Sequence, residues 1–248
     1  MKKKKVKKNK KIRDNKKSIP SDVFAILSIA VVLIRLMLTG IPSYQIDMNG
    51  YYAWSRYLAE LGPKGLYETF HIVYAPLYMY LLWITGIIAK IFSLNAGTHV
   101  YLIKLWAVAS DLAGAYLIYK IGRKYEKERL AFALGIFYAL NPGVFFNSSI
   151  WGQFDSIYST LLVGMIYAFS VNRKMTAVLL YSLAVLTKPQ SALLTPLGIF
   201  FYNDLFDFSQ ITKEKVKKAV KETFVAVAIG LSCYFIVINP FYYHMHIY

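Results

Sequence analysis

Apolar blocks of about 20 residues recur along this chain, a length that matches the roughly 30 Å hydrocarbon core of a bilayer. No other feature constrains the fold as tightly. In lipid every backbone polar group must be satisfied inside its own segment, so such a chain folds as a set of helices. Of the 248 residues 57% are apolar and 17% aromatic, against roughly 45–50% apolar in soluble domains. The pattern predicts an all-α, polytopic membrane protein with about 6–7 membrane helices and an amphipathic first outer loop. It divides into a basic tail, residues 1–21, and a transmembrane module, residues 22–248.

The net charge of +16 is concentrated at the N-terminus, where Lys2 to Lys17 holds eleven Lys/Arg against Asp14 alone. A block like this is a solvated tail. It holds the N-terminus in the cytoplasm and touches anionic lipid, so nucleic acid is not expected as a partner. Val23 to Gly40 is too long for a signal-peptide core and is followed by no small-x-small cleavage pattern, which makes it an uncleaved first span. Cys233 is the single cysteine, so an intrachain disulfide is excluded.

Ile41 to His71 forms the first outer loop. There Trp54, Tyr57, Leu58 and Leu61 follow helical spacing, and Arg56 and Glu60 lie one turn apart on the polar side, as in a helix lying on the membrane. Ile72–Phe92 and His99–Lys120 are both apolar enough to span. If both cross, however, the basic run KIGRKYEKER (Lys120–Arg129) falls outside, against the positive-inside rule. The charges agree only if one is interfacial, and Ile72–Phe92, with Pro76 near its start, is the expected non-spanning piece. Met175–Asn203, cut by Lys188-Pro189-Gln190, then reads as a hairpin of two short helices, Asp204–Glu222 as a mixed-charge linker, and Thr223–Ile238 as a last span.

Polar side chains at membrane depth mark sites or mutually satisfied pairs. The stretch NPGVFFNSSIWGQFDSIYST (Asn141–Thr160) puts Trp151, Gln153 and Asp155 within five residues, after a helix-breaking Pro142. With Asp47, Lys188 and Gln190 they are expected at one outer face. By spacing alone Asp47 is either an N-cap or a base held at the membrane surface. Arg35, near the outer end of the first span, can snorkel or face a phosphate. Lys104 and Asp111, two turns apart on one face, read as polar groups satisfied by neighbouring helices. The four histidines have no metal-ligand spacing, and no metal is expected.

QIDMNGYYAW, YAPLYMYLLW, SDLAGAYLIYKIGRK, ALNPGVFFNSSIWGQFDS and LAVLTKPQSALL, in this order, resemble the GT-C glycosyltransferases. The WGQFD and KPQ pair is most similar to prokaryotic relatives of the second GPI mannosyltransferase. The resemblance covers roughly Asp22–Pro240. It implies inverting transfer of a sugar, mannose above all, from a polyprenyl-phosphate donor to a glycan, lipid or protein hydroxyl at the outer face of the cell membrane. Asp47 would be the general base, with Trp151, Gln153, Asp155, Lys188, Gln190 and Arg35 binding substrate and no cofactor required. Members of that group continue for several more helices, so a C-terminal part, or a second chain completing the enzyme, is also implied. The alternative is a non-catalytic multi-helix membrane protein, either a transporter using Lys104 and Asp111 as a polar pathway or a scaffold subunit.

Overall fold

The computed structural model describes residues 19–125, 127–205 and 211–242, excepting the side chains of 203–205. Most of the basic tail, the segment 206–210 and the terminal residues with His244 and His246 lie outside the described residues. The described residues form an all-α membrane protein without strands. Three helices are long and apolar enough to cross a bilayer, and a bent pair makes a fourth.

The first span, α1 (Ser21–Thr39), opens behind Pro20 with Asp22 in its first turn, where a negative charge suits the helix dipole. It is followed by α2 (Gln45–Leu61), whose buried residues Met48, Tyr51, Ser55 and Leu58 recur at helical spacing along one side. After the single turn α3 (Leu66–Phe70) comes α4 (Leu77–Ile91), which runs alongside α2 in the same direction. The Ser55 hydroxyl donates to the Leu82 carbonyl at 2.6 Å, and Lys90 Nζ reaches the Ala59 carbonyl at 3.3 Å. Gly86 permits this approach, since a Cβ there would lie 2.1 Å from the Ser55 carbonyl oxygen. At 15 residues α4 is about 22 Å long, short of a full crossing.

The central span is α5 (Ala96–Lys124), started by the Asn95 side chain, which accepts from Thr98 N at 2.9 Å. It lies antiparallel to α1. At one end Tyr101 and Lys104 bond to the Leu36 and Ile41 carbonyls, at 3.1 and 2.8 Å. At the other end Phe24 stacks on Phe132 at 4.6 Å and meets Tyr119 at 5.4 Å. The basic turn after α5 therefore shares an end of the molecule with the start of α1. This arrangement agrees with an α4 that does not span.

The chain returns as α6 (Glu128–Ala139), bends by 41°, and continues through α7 (Pro142–Phe145) and a π-helical turn, Phe146–Trp151. The bend falls at Pro142, whose ring would clash with the preceding turn of a continuous helix. Asn141 caps the new start by accepting from Gly143 N. Two further helices follow, α8 (Asp155–Ser170) and α9 (Lys174–Thr187). The expected hairpin at Lys188-Pro189-Gln190 is present, but its second arm, Pro189–Leu205, is a 3₁₀ helix. The tighter winding rises about 2.0 Å per residue, more than an α-helix, and the arm is kinked at Tyr202, where φ and ψ leave the helical region.

The last helix, α10 (Lys213–Tyr242), differs from the expected linker and separate span. The charged stretch from Lys213 to Glu222 is continuous with the apolar one, forming a single 30-residue helix. Lys174 pairs with Glu222 at 3.4 Å near its start, and Tyr80 donates to the Val237 carbonyl at 3.1 Å near its end. The two ends of the molecule thus differ in character. One carries the basic turns, and the other carries Asp47, Trp151, Asp155 and Lys188.

Candidate functional site

The polar rim at the second end is assembled by three connections. In α2 the carboxylate of Asp47 projects from the first turn. Asp47 is not the N-cap, a position held by Tyr44, whose side chain makes no capping bond. Asp47 Oδ2 instead accepts from Trp151 Nε1 at 2.8 Å and from Gln153 Nε2 at 2.5 Å. Tyr51, one turn further along α2, donates its hydroxyl to Gln153 Oε1 at 3.1 Å. Burial, reinforced by Tyr78, Tyr74 and the Asp47 charge, pushes the Tyr51 phenol well above its ordinary value, so it stays protonated as a donor. The result is a relay in which Tyr51 donates to Gln153 and Gln153 to Asp47, with Trp151 as second donor.

The backbone makes this possible at Gly152, which has φ +92°, in the left-handed region that disfavours a side chain. A Cβ at this position would lie 2.3 Å from Met48 Cε. The Gly152 and Gln153 amides both donate to the Asn147 carbonyl, at 3.1 and 2.9 Å, closing the π-helical turn. Beyond it Phe154, 1% exposed, stacks on Tyr78 at 3.9 Å with the rings inclined by 13°. This ring anchors the rim to α4.

On the far side of Phe154 the start of α8 presents Asp155, which forms an ion pair with Lys188 at the end of α9. The Lys188 ammonium also lies 5.7 Å from the Phe154 ring and 5.6 Å from the Tyr158 ring, within cation–π range. Trp151 is 37% exposed and Gln190 is exposed at the tip of the hairpin. Five of the seven residues singled out in the sequence thus belong to two adjoining clusters, Asp47–Trp151–Gln153 and Asp155–Lys188, with Gln190 beside the second.

Arg35 stands apart. Expected to face a phosphate, it is instead fully buried and paired with Asp111 at 2.5 Å. Its other donors reach the Ser148 and Ser149 hydroxyls at 2.6 and 3.0 Å and the Ala139 carbonyl at 2.8 Å. Ser148 also donates to Asp111 at 2.5 Å. This node ties α1, α5 and the π-helical turn together. Lys104 is spoken for by the Ile41 carbonyl, so neither member of the Lys104–Asp111 pair lines an open polar path. The sequence reading missed Ser148 and Ser149, whose partner Arg35 is more than a hundred residues away, and it missed the Tyr51 hydroxyl. Among the described residues no group of three or more His, Cys, Asp or Glu side chains could hold a metal ion.

Residues 53–246 match the family model described as GPI transamidase subunit PIG-U. No curated protein and no solved structure matches the chain. The family match overturns the expectation of a polyprenyl-phosphate-sugar glycosyltransferase, because that family is a subunit of a protein-processing complex and not a mannosyltransferase. With the transfer reaction goes the role of Asp47 as its general base. The same finding favours the alternative reading, a non-catalytic multi-helix membrane protein.

Proposed function

The chain belongs to the family of the GPI transamidase subunit PIG-U, and on that premise we propose that it is a non-catalytic membrane subunit that organises a larger assembly. The observation that carries this reading is the engagement of Asp47. Both Trp151 and Gln153 donate to one of its oxygens, so the carboxylate ties α2 to the loop before α8. The Arg35–Asp111 node does the same work deeper in the bundle. A scaffold needs such ties, whereas a transporter needs polar groups free to exchange partners. A membrane scaffold held in common, without the transfer chemistry, accounts for the GT-C-like order of motifs.

The polar rim is then the recognition surface. Trp151 and the tyrosines around it offer flat faces suited to sugar rings, and Asp47, Gln153, Asp155 and Lys188 offer hydrogen bonds to hydroxyls and charge for a phosphate. This chemistry suits the glycan head of a membrane glycolipid presented to partner subunits. The positive-inside rule assigns the basic end to the cytoplasm and the rim to the outer face of the cell membrane.

Isolation of the full chain from its native membranes in mild detergent, followed by native electrophoresis and mass spectrometry, tests this reading. The expected result is a larger species with membrane partners at fixed stoichiometry, inert toward labelled polyprenyl-phosphate sugars. A lone chain that transfers label in an Asp47-dependent manner would overturn it.

A further inference from the structure

Toward the basic end a cavity of about 300 Å³ lies between α1, α5 and α6. The aromatic cluster of Phe24, Phe132 and Tyr119 lines it at that end. Its inner limit is Ala139, whose carbonyl accepts from Arg35. Gly135 brings α6 against α5 to make the floor, since a Cβ there would lie 2.9 Å from the Ala115 carbonyl oxygen. Val31, Leu112 and Ile136 add apolar wall. Two hydroxyl groups interrupt it. Ser28 lies one turn in from Phe24 on α1, and Tyr116 about one turn in from Tyr119 on α5. The two helices are antiparallel and Phe24 meets Tyr119, so Ser28 and Tyr116 come to the same depth. The Tyr119 hydroxyl donates to Glu128 at 3.1 Å. Among the described residues the Ser28 and Tyr116 hydroxyls make no hydrogen bond. Lys120, one turn nearer the charged end, holds its ammonium 5.6 Å from the Tyr116 ring, which puts this depth just inside the boundary between charge and hydrocarbon.

We propose that this cavity holds one acyl chain of an ester-linked glycerophospholipid from the leaflet at the basic end, with Ser28 and Tyr116 donating to the ester carbonyl and the chain running inward toward Ala139. The surroundings select a lipid, because the cavity lies among membrane-spanning helices, where the solvent is hydrocarbon. The size selects a single chain over a partner's helix. From Phe24 to Val32 the cavity follows α1 for about 12 Å. Over that length a helix about 10 Å across fills roughly 940 Å³, about three times the space present. The hydroxyls select the linkage. A hydroxyl at this depth gains most from an acceptor brought by the ligand. An ester carbonyl is the acceptor that a phospholipid carries where its headgroup meets its chains, and an ether oxygen in the same place accepts more weakly. The headgroup itself lies beyond the aromatic cluster and takes no part in the selection.

Two changes separate the hydroxyls from the space. Ser28→Ala with Tyr116→Phe removes both donors and keeps the cavity, and Ala115→Leu fills the cavity and keeps both donors. The full chain would be delipidated in mild detergent and titrated with dioleoylphosphatidylcholine or with its dialkyl ether analogue, which has the same headgroup and chain length. Native mass spectrometry then counts the lipids retained. The wild-type chain should retain one lipid and prefer the ester to the ether on the order of tenfold, the effect of two hydrogen bonds. The double variant should bind both lipids equally, at the wild-type affinity for the ether. Ala115→Leu should retain neither while its helical circular dichroism is unchanged. The proposal is overturned if the wild type retains no lipid, if it binds ester and ether alike, if the ester preference survives in the double variant, or if a folded Ala115→Leu chain still holds the lipid. Should Ala115→Leu fail to fold, the ester-to-ether ratio in the double variant decides alone.

Discussion

Arg35–Asp111 and Lys188–Asp155 use the same kinds of side chain for different ends. The first pair is withdrawn from solvent, with side chains 0% and 1% exposed, and its further bonds go to serine, the Tyr138 hydroxyl and backbone. The second sits at the rim, 15% and 31% exposed, beside an exposed Gln190 and two aromatic rings. A charge with no remaining access can only hold helices together. A charge pair with an open side can exchange partners when a ligand or another subunit arrives. Residue type therefore says little about role in this bundle, and depth says a great deal.

That contrast is sharpest under mutation. Arg35→Ala leaves the Asp111 carboxylate buried without its counter-charge, at an expected cost of roughly 3–5 kcal/mol. The loss should appear as a large fall in melting temperature in detergent. Replacing both residues by apolar ones, Arg35→Met with Asp111→Leu, should recover most of it, because the penalty lies in the unpaired charge and not in the lost bond. A mild phenotype for Arg35→Ala alone would place the node nearer the rim in character and erase the distinction. Gly152→Ala comes next. It puts a side chain at a left-handed φ and against Met48 Cε, and about 1–3 kcal/mol of destabilisation is expected. The change should also alter the environment of Trp151, read by near-ultraviolet circular dichroism.

These effects show which parts of the molecule could be seen in the sequence. The helical membrane architecture was legible because hydrocarbon enforces it residue by residue, and the bend at Pro142 and the hairpin tip at Pro189 were legible because proline acts locally. The short α4 followed from a charge argument, since the basic residues after α5 had to share an end with the start of α1. Pairings across the bundle were not legible. Nothing near Arg35 announces Asp111, Ser148 or Ser149, and the terminal position given to Arg35 pointed to a phosphate in place of an ion pair. Asp47 shows the same limit. Its place near a helix start suggested a cap, while its partners are Trp151 and Gln153, about a hundred residues away. The 3₁₀ winding of Pro189–Leu205 had no clear signal beyond Pro196, and the charged start of α10 looked like a linker because its polarity hid its continuity with the apolar helix.

At the rim smaller effects are expected. Asp47→Asn keeps an acceptor for Trp151 or Gln153 but loses the charge that strengthens both bonds, about 1 kcal/mol. If the rim recognises a glycolipid, this variant should weaken that association more than it lowers the melting temperature. A larger loss of stability than Gly152→Ala, with glycolipid association unchanged, would confine Asp47 to its structural tie and remove it from the recognition surface.

Arg56 and Glu60 set the lower end of the scale. They form an i, i+4 pair at 3.1 Å with side chains 57% and 52% exposed. The Glu60 hydrogen bond raises the Arg56 pKa above an already high value, so the guanidinium is charged at any working pH. Solvent screens the pair, and holding two long side chains in one geometry opposes it entropically. Arg56→Ala should therefore leave the melting temperature unchanged within error and insensitive to salt. A clear loss would mean that this face of α2 is covered in the membrane, either by lipid headgroups or by another subunit. Repeating the melt in detergent and in vesicles separates a loss intrinsic to the chain from one that needs the surrounding membrane.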